Sequence, residues 1–237
     1  MKYNIGGFTN KGTGKYTLNE DQILINRTKV DDGELFLTDQ DYCMCFVSDG
    51  VGGIQGGVFA SSYLLLMLKD IPEDQFSEIN QRLYGLNDEL IRQASSSDNL
   101  IGCACTLSGI IATTNFVEFY QVGDSEIWLL RDGMFIKVTK DEVVDEDNSQ
   151  SPIINYFGGK ENKLKINTNW NKPEILTNDI FLICSDGLFK SLDVRLIKPI
   201  LASDKSIEEK VLKLKENCLT LGSEDNVSAV VVECLNE

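Results

Sequence analysis

Cys45-Phe46-Val47-Ser48-Asp49-Gly50 and Leu182-Ile183-Cys184-Ser185-Asp186-Gly187 each run an apolar strand straight into Ser-Asp-Gly, and Glu224-Asp225-Asn226 stands just before the last apolar run. A carboxylate at the end of a buried strand is held by a rigid element, and several together supply the oxygens that hard divalent cations require. An Asp-Gly pair alone is the commonest short turn signal, and the chain has four. Asp132-Gly133 separates two apolar or alternating runs, 126–131 and 134–138, and reads as a plain hairpin turn; Asp32-Gly33 fits the same reading. Asp49 and Asp186 share a context that the other two lack, so for them a metal role and a structural turn both stay open on the residues alone.

Working outward, strands are expected near 3–8, 22–26, 35–37 and 42–48, followed by a glycine-rich turn and a helix over about 53–69. Phe76, Ile79, Leu83, Leu86, Leu90 and Ile91 recur at helical spacing, and Ser95-Ser96-Ser97-Asp98 ends that second helix. Strands follow at 104–113, 116–122, 126–131 and 134–139, then one at 180–185, two helices between about 191 and 221, and a last strand at 227–233. Strands, a helix pair, more strands and another helix pair argue for a layered α+β architecture. The antiparallel meander in the middle excludes a doubly wound parallel sheet as the simplest reading.

The length suits one domain spanning 1–237, with a loop-rich flap insertion at about 141–171 where periodicity fades. No basic segment followed by an apolar run opens the chain, and the longest apolar helix candidate, 58–68, is too short to cross a bilayer. A cytoplasmic protein with no membrane partner is expected. Seven cysteines and no histidine argue against zinc. Cys43-x-Cys45 and Cys103-x-Cys105 have the spacing of neighbours on one strand face, which suits buried small hydrophobes, and reduced thiols suit the cytoplasm. Without histidine there is no histidine triad or histidine general base, so chemistry must run on carboxylates, metal and water. A net charge of -15 argues against nucleic acid as a partner. Lys210, Lys213 and Lys215 alternate with Glu208, Glu209 and Glu216, which reads as a solvated helix face.

Six segments in order carry a resemblance: Asn19-Glu20-Asp21, Asp49-Gly50-Val51-Gly52-Gly53, Gly102-Cys103-Ala104-Cys105-Thr106, Gly123-Asp124-Ser125, Ser185-Asp186-Gly187-Leu188 and Asp225-Asn226-Val227-Ser228. Together they resemble the metal-dependent (PPM-type) serine/threonine protein phosphatases of the type 2C family, in their bacterial form. The resemblance implies a four-layer α-β-β-α sandwich, two antiparallel β-sheets flanked by helix pairs. It implies catalytic roles for Asp49, Asp186, Asp225 and Asp21. Asp49 would bridge two Mn2+ or Mg2+ ions, the Gly50 carbonyl, Asp186 and Asp225 would complete the protein ligands, and Glu20 would reach the second ion directly or through water. Water between the ions would attack a phosphoserine or phosphothreonine monoester, with no protein nucleophile. Asp21 would orient metal-bound water, and Asp124 would match a third, weaker metal site. The implied partner is a phosphorylated protein, opposed by a serine/threonine kinase and met by a monomeric enzyme.

Three positions depart from the family pattern. Many members carry an arginine four residues before the glutamate of the N-terminal motif to hold the substrate phosphate; here that residue is Tyr16, with Lys15 beside it as a point charge lacking the bidentate guanidinium geometry. Lys15 and Tyr16 are therefore the candidate substrate-binding residues. Glu126 stands where arginine is usual, and Lys190 where some members place a further acidic ligand. Two rival readings remain. The run Gly50-Val51-Gly52-Gly53-Ile54-Gln55-Gly56 follows a strand as a dinucleotide-binding turn would, although Asp49 would repel a pyrophosphate unless a cation intervened. Tyr16 motivates the other, a catalytically weakened relative acting as a phosphoprotein-binding or regulatory module.

Overall fold

A strand that is apolar on both faces needs cover on both sides. Strand β5 (Cys43–Ser48) is buried throughout, and its side chains alternate between two cores. Cys43, Cys45 and Val47 enter a layer with Ile5, Ile23, Phe181, Ile183 and Val230, while Met44 and Phe46 enter another with Leu64, Leu68, Leu83 and Leu90. The computed structural model that shows this describes residues 1–15, 17–51, 54–145, 148, 151–160, 164–168 and 173–236.

Before β5 come β1 (Lys2–Asn10), β2 (Gln22–Ile25), β3 (Thr28–Val30) and β4 (Gly33–Gln40). After it come β6 (Gly50–Val51), α1 (Ile54–Lys69), a 3-10 turn and α2 (Ile79–Ala94), then β7 (Ala104–Cys105), β8 (Leu107–Ala112), β9 (Val117–Val122), β10 (Glu126–Arg131) and β11 (Met134–Lys137). The chain closes with β12 (Phe157–Gly158), β13 (Ile180–Cys184), α3 (Asp186–Ser191), α4 (Val194–Leu201), α5 (Ile207–Leu221) and β14 (Val227–Leu235). One sheet runs β11-β10-β13-β14-β1-β4, a second runs β3-β2-β5-β8-β9, and a small third joins β12, β7 and β6. α1 and α2 cover the five-stranded sheet through the Phe46 and Leu64 layer, and α3, α4 and α5 cover the six-stranded sheet through a layer of Phe8, Leu182, Ile197, Val211, Leu214 and Val231. The α+β four-layer sandwich expected from the sequence is the fold observed. Because helices cover the outer face of each sheet, the central strands read as continuous apolar runs rather than as alternation.

The registers bring the acidic segments to one end of the sandwich. Gln22 pairs with Ser48, Cys184 with Ala229, and Glu126 with Cys184. The residues just beyond these pairs are Asp21, Asp49, Ser185, Ser228 and Ser125, with Asp186 following Ser185 and Asp124 preceding Ser125. Antiparallel pairing thus stacks strand starts against strand ends until five separate segments meet.

Several sequence expectations need correction. The run 104–113 is two strands in two sheets, because Thr106 leaves one ladder for the other: its N–H donates to the Asp49 carbonyl (2.8 Å) and its own carbonyl accepts Ser48 Oγ (2.7 Å). The central meander is also split, with β8 and β9 in one sheet and β10 and β11 in the other. Asp32-Gly33 links strands of different sheets and is not a hairpin turn, whereas Asp132-Gly133 does join the β10–β11 hairpin. The two helices expected between about 191 and 221 are α4 and α5, and a further helix that was not expected, α3, begins at Asp186 itself. Lys210 is not on a solvated face: it is buried and its Nζ lies 2.6 Å from Glu233 on β14. All seven cysteines are buried free thiols, as the same-face spacing suggests.

Candidate functional site

Asp49 follows β5, and its backbone is fixed on both sides by one residue. Its N–H donates to Thr106 Oγ1 (3.0 Å), and Thr106 Oγ1 in turn shares a hydrogen bond with Ser125 Oγ (2.6 Å), beside Asp124. Gly123, which opens that turn, adopts a φ of +98°, and a Cβ there would lie 2.7 Å from Thr106 Cγ2. Both the left-handed backbone and the close approach therefore require glycine.

Glu20 and Asp21 precede β2. The Glu20 N–H donates to Asn226 Oδ1 (2.8 Å), and its carbonyl accepts Ser61 Oγ from α1 (2.7 Å). Its carboxylate lies over Gly57, where a Cβ would come within 1.8 Å of Oε2. Asp21 is fully buried; Ser185 Oγ donates to its Oδ2 (2.6 Å), and its Oδ1 has no hydrogen-bond partner. Asp225 accepts the Asn226 N–H (2.9 Å). Asn226 Nδ2 donates to the carbonyl of Lys11 (3.0 Å), and Thr13 N–H donates to the Ser223 carbonyl (2.7 Å), so the 11–15 loop lies along the acidic 223–226 segment.

The charges at this end repel one another. Burial raises the Asp49 carboxyl well above the usual carboxylate range, and Asp21, Asp186, Asp124 and Asp225 push it further. Burial likewise lifts Asp21 to about 7 despite hydrogen bonds from Ser185 and Ser228, and lifts Asp124 to about 7 with Asp186 adding to it. Glu20 is raised by burial and by Asp225. Asp186 is raised by burial while Lys190 opposes the shift. Lys190 Nζ stands 2.5 Å from Asp186 Oδ2 and 2.7 Å from Asp225 Oδ2. Burial alone would lower its pKa, but those two carboxylates raise it.

The structure thus brings Asp49, Asp186, Asp225, Asp124, Asp21 and Glu20 to one end, with Gly50 adjoining Asp49. Among the described residues no three acidic or thiol side chains close into a finished metal cage, since Asp186 and Asp225 both face Lys190. The donors nonetheless fit a hard divalent cation: all are oxygens, the buried Asp21 Oδ1 lacks a partner, and Gly57 leaves open the space beside Glu20. Lys15 is exposed on the 11–15 loop. Tyr16 lies outside the described residues, as do Gly52 and Gly53 of the glycine run. Val51 before them is in a strand, and the carboxylates around Asp49 disfavour the dinucleotide reading. Glu126 is turned to Lys137 Nζ (2.7 Å), which also meets Asp141 (2.6 Å).

Sequence reasoning gave no role to several residues that build the site. Thr106, Ser185 and Asn226 each lay inside a quoted segment, but their tasks are contacts with residues far along the chain. Gly57 carried a signal only as one more glycine in a rich run. Glu142 carried none: its Oε2 accepts Gly123 N–H (2.9 Å) and Asn155 Nδ2 (2.6 Å), and its Oε1 accepts Asn167, tying the base of the 141–171 insertion to the turn that bears Asp124.

Comparison with known proteins bears on the fold and the family. The chain is 27% identical over 236 residues to the serine/threonine phosphatase stp of Listeria monocytogenes serovar 1/2a, covering 90% of this chain and 93% of that protein. The crystal structure of the Mycobacterium tuberculosis serine/threonine phosphatase PstP/Ppp superposes over 100% of both chains at 23% identity, with a TM-score of 0.78. The catalytic domain of PstP in complex with two manganese ions covers 99% of both chains at 23% identity, with a TM-score of 0.77. These structural likenesses show a shared fold. The family model for protein phosphatase 2C matches residues 26–213, most of the length between β2 and α5, and by that match the chain belongs to the protein phosphatase 2C family.

Proposed function

We propose that this protein is a metal-dependent serine/threonine protein phosphatase that hydrolyses phosphoserine and phosphothreonine monoesters. The observation that carries the reading is the meeting of six carboxylates at one end of the sandwich, two of them paired with Lys190. A phosphate dianion would be repelled from such a place unless cations stood between. Asp49 is read as the shared ligand of two Mn2+ or Mg2+ ions, with Asp186, Asp225, the Gly50 carbonyl and Glu20 completing the protein contribution and Asp124 serving a weaker third site. Such ions lower the pKa of water and offset charge on the attacking and leaving oxygens of the phosphate.

The remaining work falls to the protein. Asp21, fixed through Oδ2 by Ser185, has Oδ1 left to accept a hydrogen bond from water and orient it. Thr106 holds the Asp49 backbone, and Asn226 holds that of Glu20, so that the carboxylates keep their spacing. Lys15, with Tyr16 beside it, is read as the phosphate-facing pair, on a loop that runs along the Asp225 segment. The substrate is read as a phosphorylated protein, opposed by a kinase in the cytoplasm, and the enzyme as one monomeric domain over 1–237 with a flap at about 141–171. No helix among the described residues is long and apolar enough to cross a membrane. The alternative, a weakened binding module, has no support among the named relatives, which carry the name of phosphatases. Hydrolysis of p-nitrophenyl phosphate and of a phosphothreonine peptide, with Mn2+ and with chelator, tests the reading. Metal-dependent turnover of both is expected, and turnover that survives chelation would overturn it.

A further inference from the structure

We propose that Lys190 is a tethered cation that sets the metal affinity of this site, because any divalent ion held by Asp186 and Asp225 must share those carboxylates with its ammonium. The inference rests on reading the acidic end as a cation centre, and it adds a feature of this chain's own. Lys190 lies one helical turn after Asp186 on α3, so its stem rises along the same face and delivers Nζ to both Asp186 Oδ2 (2.5 Å) and Asp225 Oδ2 (2.7 Å).

The position is rigid. A Cβ on Gly187 would fall 1.9 Å from the Asn226 carbonyl oxygen, so α3 is pressed directly against the segment that carries Asp225. Ser191 Oγ donates to the Gly187 carbonyl (2.7 Å) and bonds Ser223 Oγ (2.8 Å), which ties the far end of α3 to the same segment. Both ends of α3 are therefore anchored to the segment that carries Asp225, which keeps the backbone of Lys190 within reach of both carboxylates.

One ammonium does not neutralise the site. Glu20, Asp21, Asp49, Asp124, Asp186 and Asp225 bring six carboxylates to it, and Asp21 Oδ1 is buried and unpartnered. Room for further positive charge remains, but the Asp186 and Asp225 side is already partly compensated. A divalent ion binding there works against a like charge a few ångströms away.

Titration of Mn2+ into the intact protein by calorimetry, at low ionic strength, tests this with wild type, Lys190→Met and Lys190→Arg. Removing a like charge at this distance should tighten the binding of at least one Mn2+ by roughly tenfold in Lys190→Met, while Lys190→Arg stays near wild type. The gap should narrow as salt is raised. Lys190→Gln serves if Lys190→Met does not fold, as judged by circular dichroism. Equal or weaker Mn2+ binding in the neutral variants, with wild type binding normally, overturns the role of Lys190 and leaves the cation centre standing. No Mn2+ binding by any of the proteins overturns the cation centre itself, and the inference with it.

Discussion

The same three residues, Ser-Asp-Gly, end β5 and β13, yet the two ends do different things. At the first, Ser48 Oγ is spent on the Thr106 carbonyl, and the Asp49 pKa is raised by burial first and then by the carboxylates around it. At the second, Ser185 caps no backbone N–H of α3 and instead reaches Asp21 Oδ2, while Asp186 is paired with Lys190. Asp49 is the uncompensated charge of the site and Asp186 the compensated one. A repeated local motif fixes where a carboxylate stands on its strand, and its neighbours from distant parts of the chain decide how strongly that carboxylate wants a cation.

The sharpest way to break this comparison is Asn at each position. Asp49→Asn should lower kcat/KM for p-nitrophenyl phosphate by about a thousandfold or more, as expected when the shared ligand of two metals is lost. In chelator the same variant should melt higher than wild type, since it removes the carboxylate that the others repel. Asp186→Asn should show no such rise, because it also deprives Lys190 of a partner. A higher melting temperature for Asp186→Asn than for Asp49→Asn would reverse the assignment.

Ser185→Ala probes the second end more gently. It removes the Ser185 hydrogen bond to Oδ2 of buried Asp21, and loss of a residue that orients a water-holding carboxylate should reduce kcat by about 10–100-fold. Ser48→Ala, which removes contacts with the Thr106 carbonyl and the Cys105 thiol but none with a carboxylate of the site, should cost stability with little change in kcat. Equal loss of kcat in the two alanine variants would erase the distinction between the ends.

Gly187→Ala should lower the melting temperature by the equivalent of about 1–3 kcal/mol, because its Cβ meets the Asn226 carbonyl oxygen and the backbone there must move. An unchanged thermal melt would show that α3 is free to shift away from the Asp225 segment.

The smallest expected effect is on pH dependence in chelator. Asp21 and Asp124, lifted to about 7, and Asp49, Asp186 and Glu20, also raised, hold protons in the folded state that the unfolded chain has already released. Stability should therefore fall as pH rises from about 4 to about 7, since the folded state binds more protons across that window. Exposed acids that are held low, such as Asp193 at about 2 beside Arg195, are ionised in both states above about pH 5 and add nothing there. A melting series from pH 5 to 7.5, with and without Mn2+, checks this. The slope should flatten with metal, and a melting temperature that rises with pH in chelator would contradict the repulsion.

Much of this was legible from residues alone where the signal was local. The apolar runs of β5, β13 and β14, the helical spacing through Leu83 and Leu90, and the Asp132-Gly133 hairpin turn all show in a short window. Short strands such as β6 and β12 escaped, because two residues have no period to detect. The split of the central strands between two sheets escaped as well, since Thr106 and Gly123-Asp124 act through contacts made across the sandwich.

By itself, the amino-acid order determined that carboxylates stand at strand ends, that the architecture is layered α+β, and that no histidine enters the chemistry. Only the tertiary structure decided which of those carboxylates is compensated. Lys190 found Asp186 and Asp225, Lys210 found Glu233, and Glu142 found Gly123, Asn155 and Asn167. The reason is one of range: propensity and periodicity act over a few residues, whereas the energy of a charge depends on every group within several ångströms, wherever in the chain it originates.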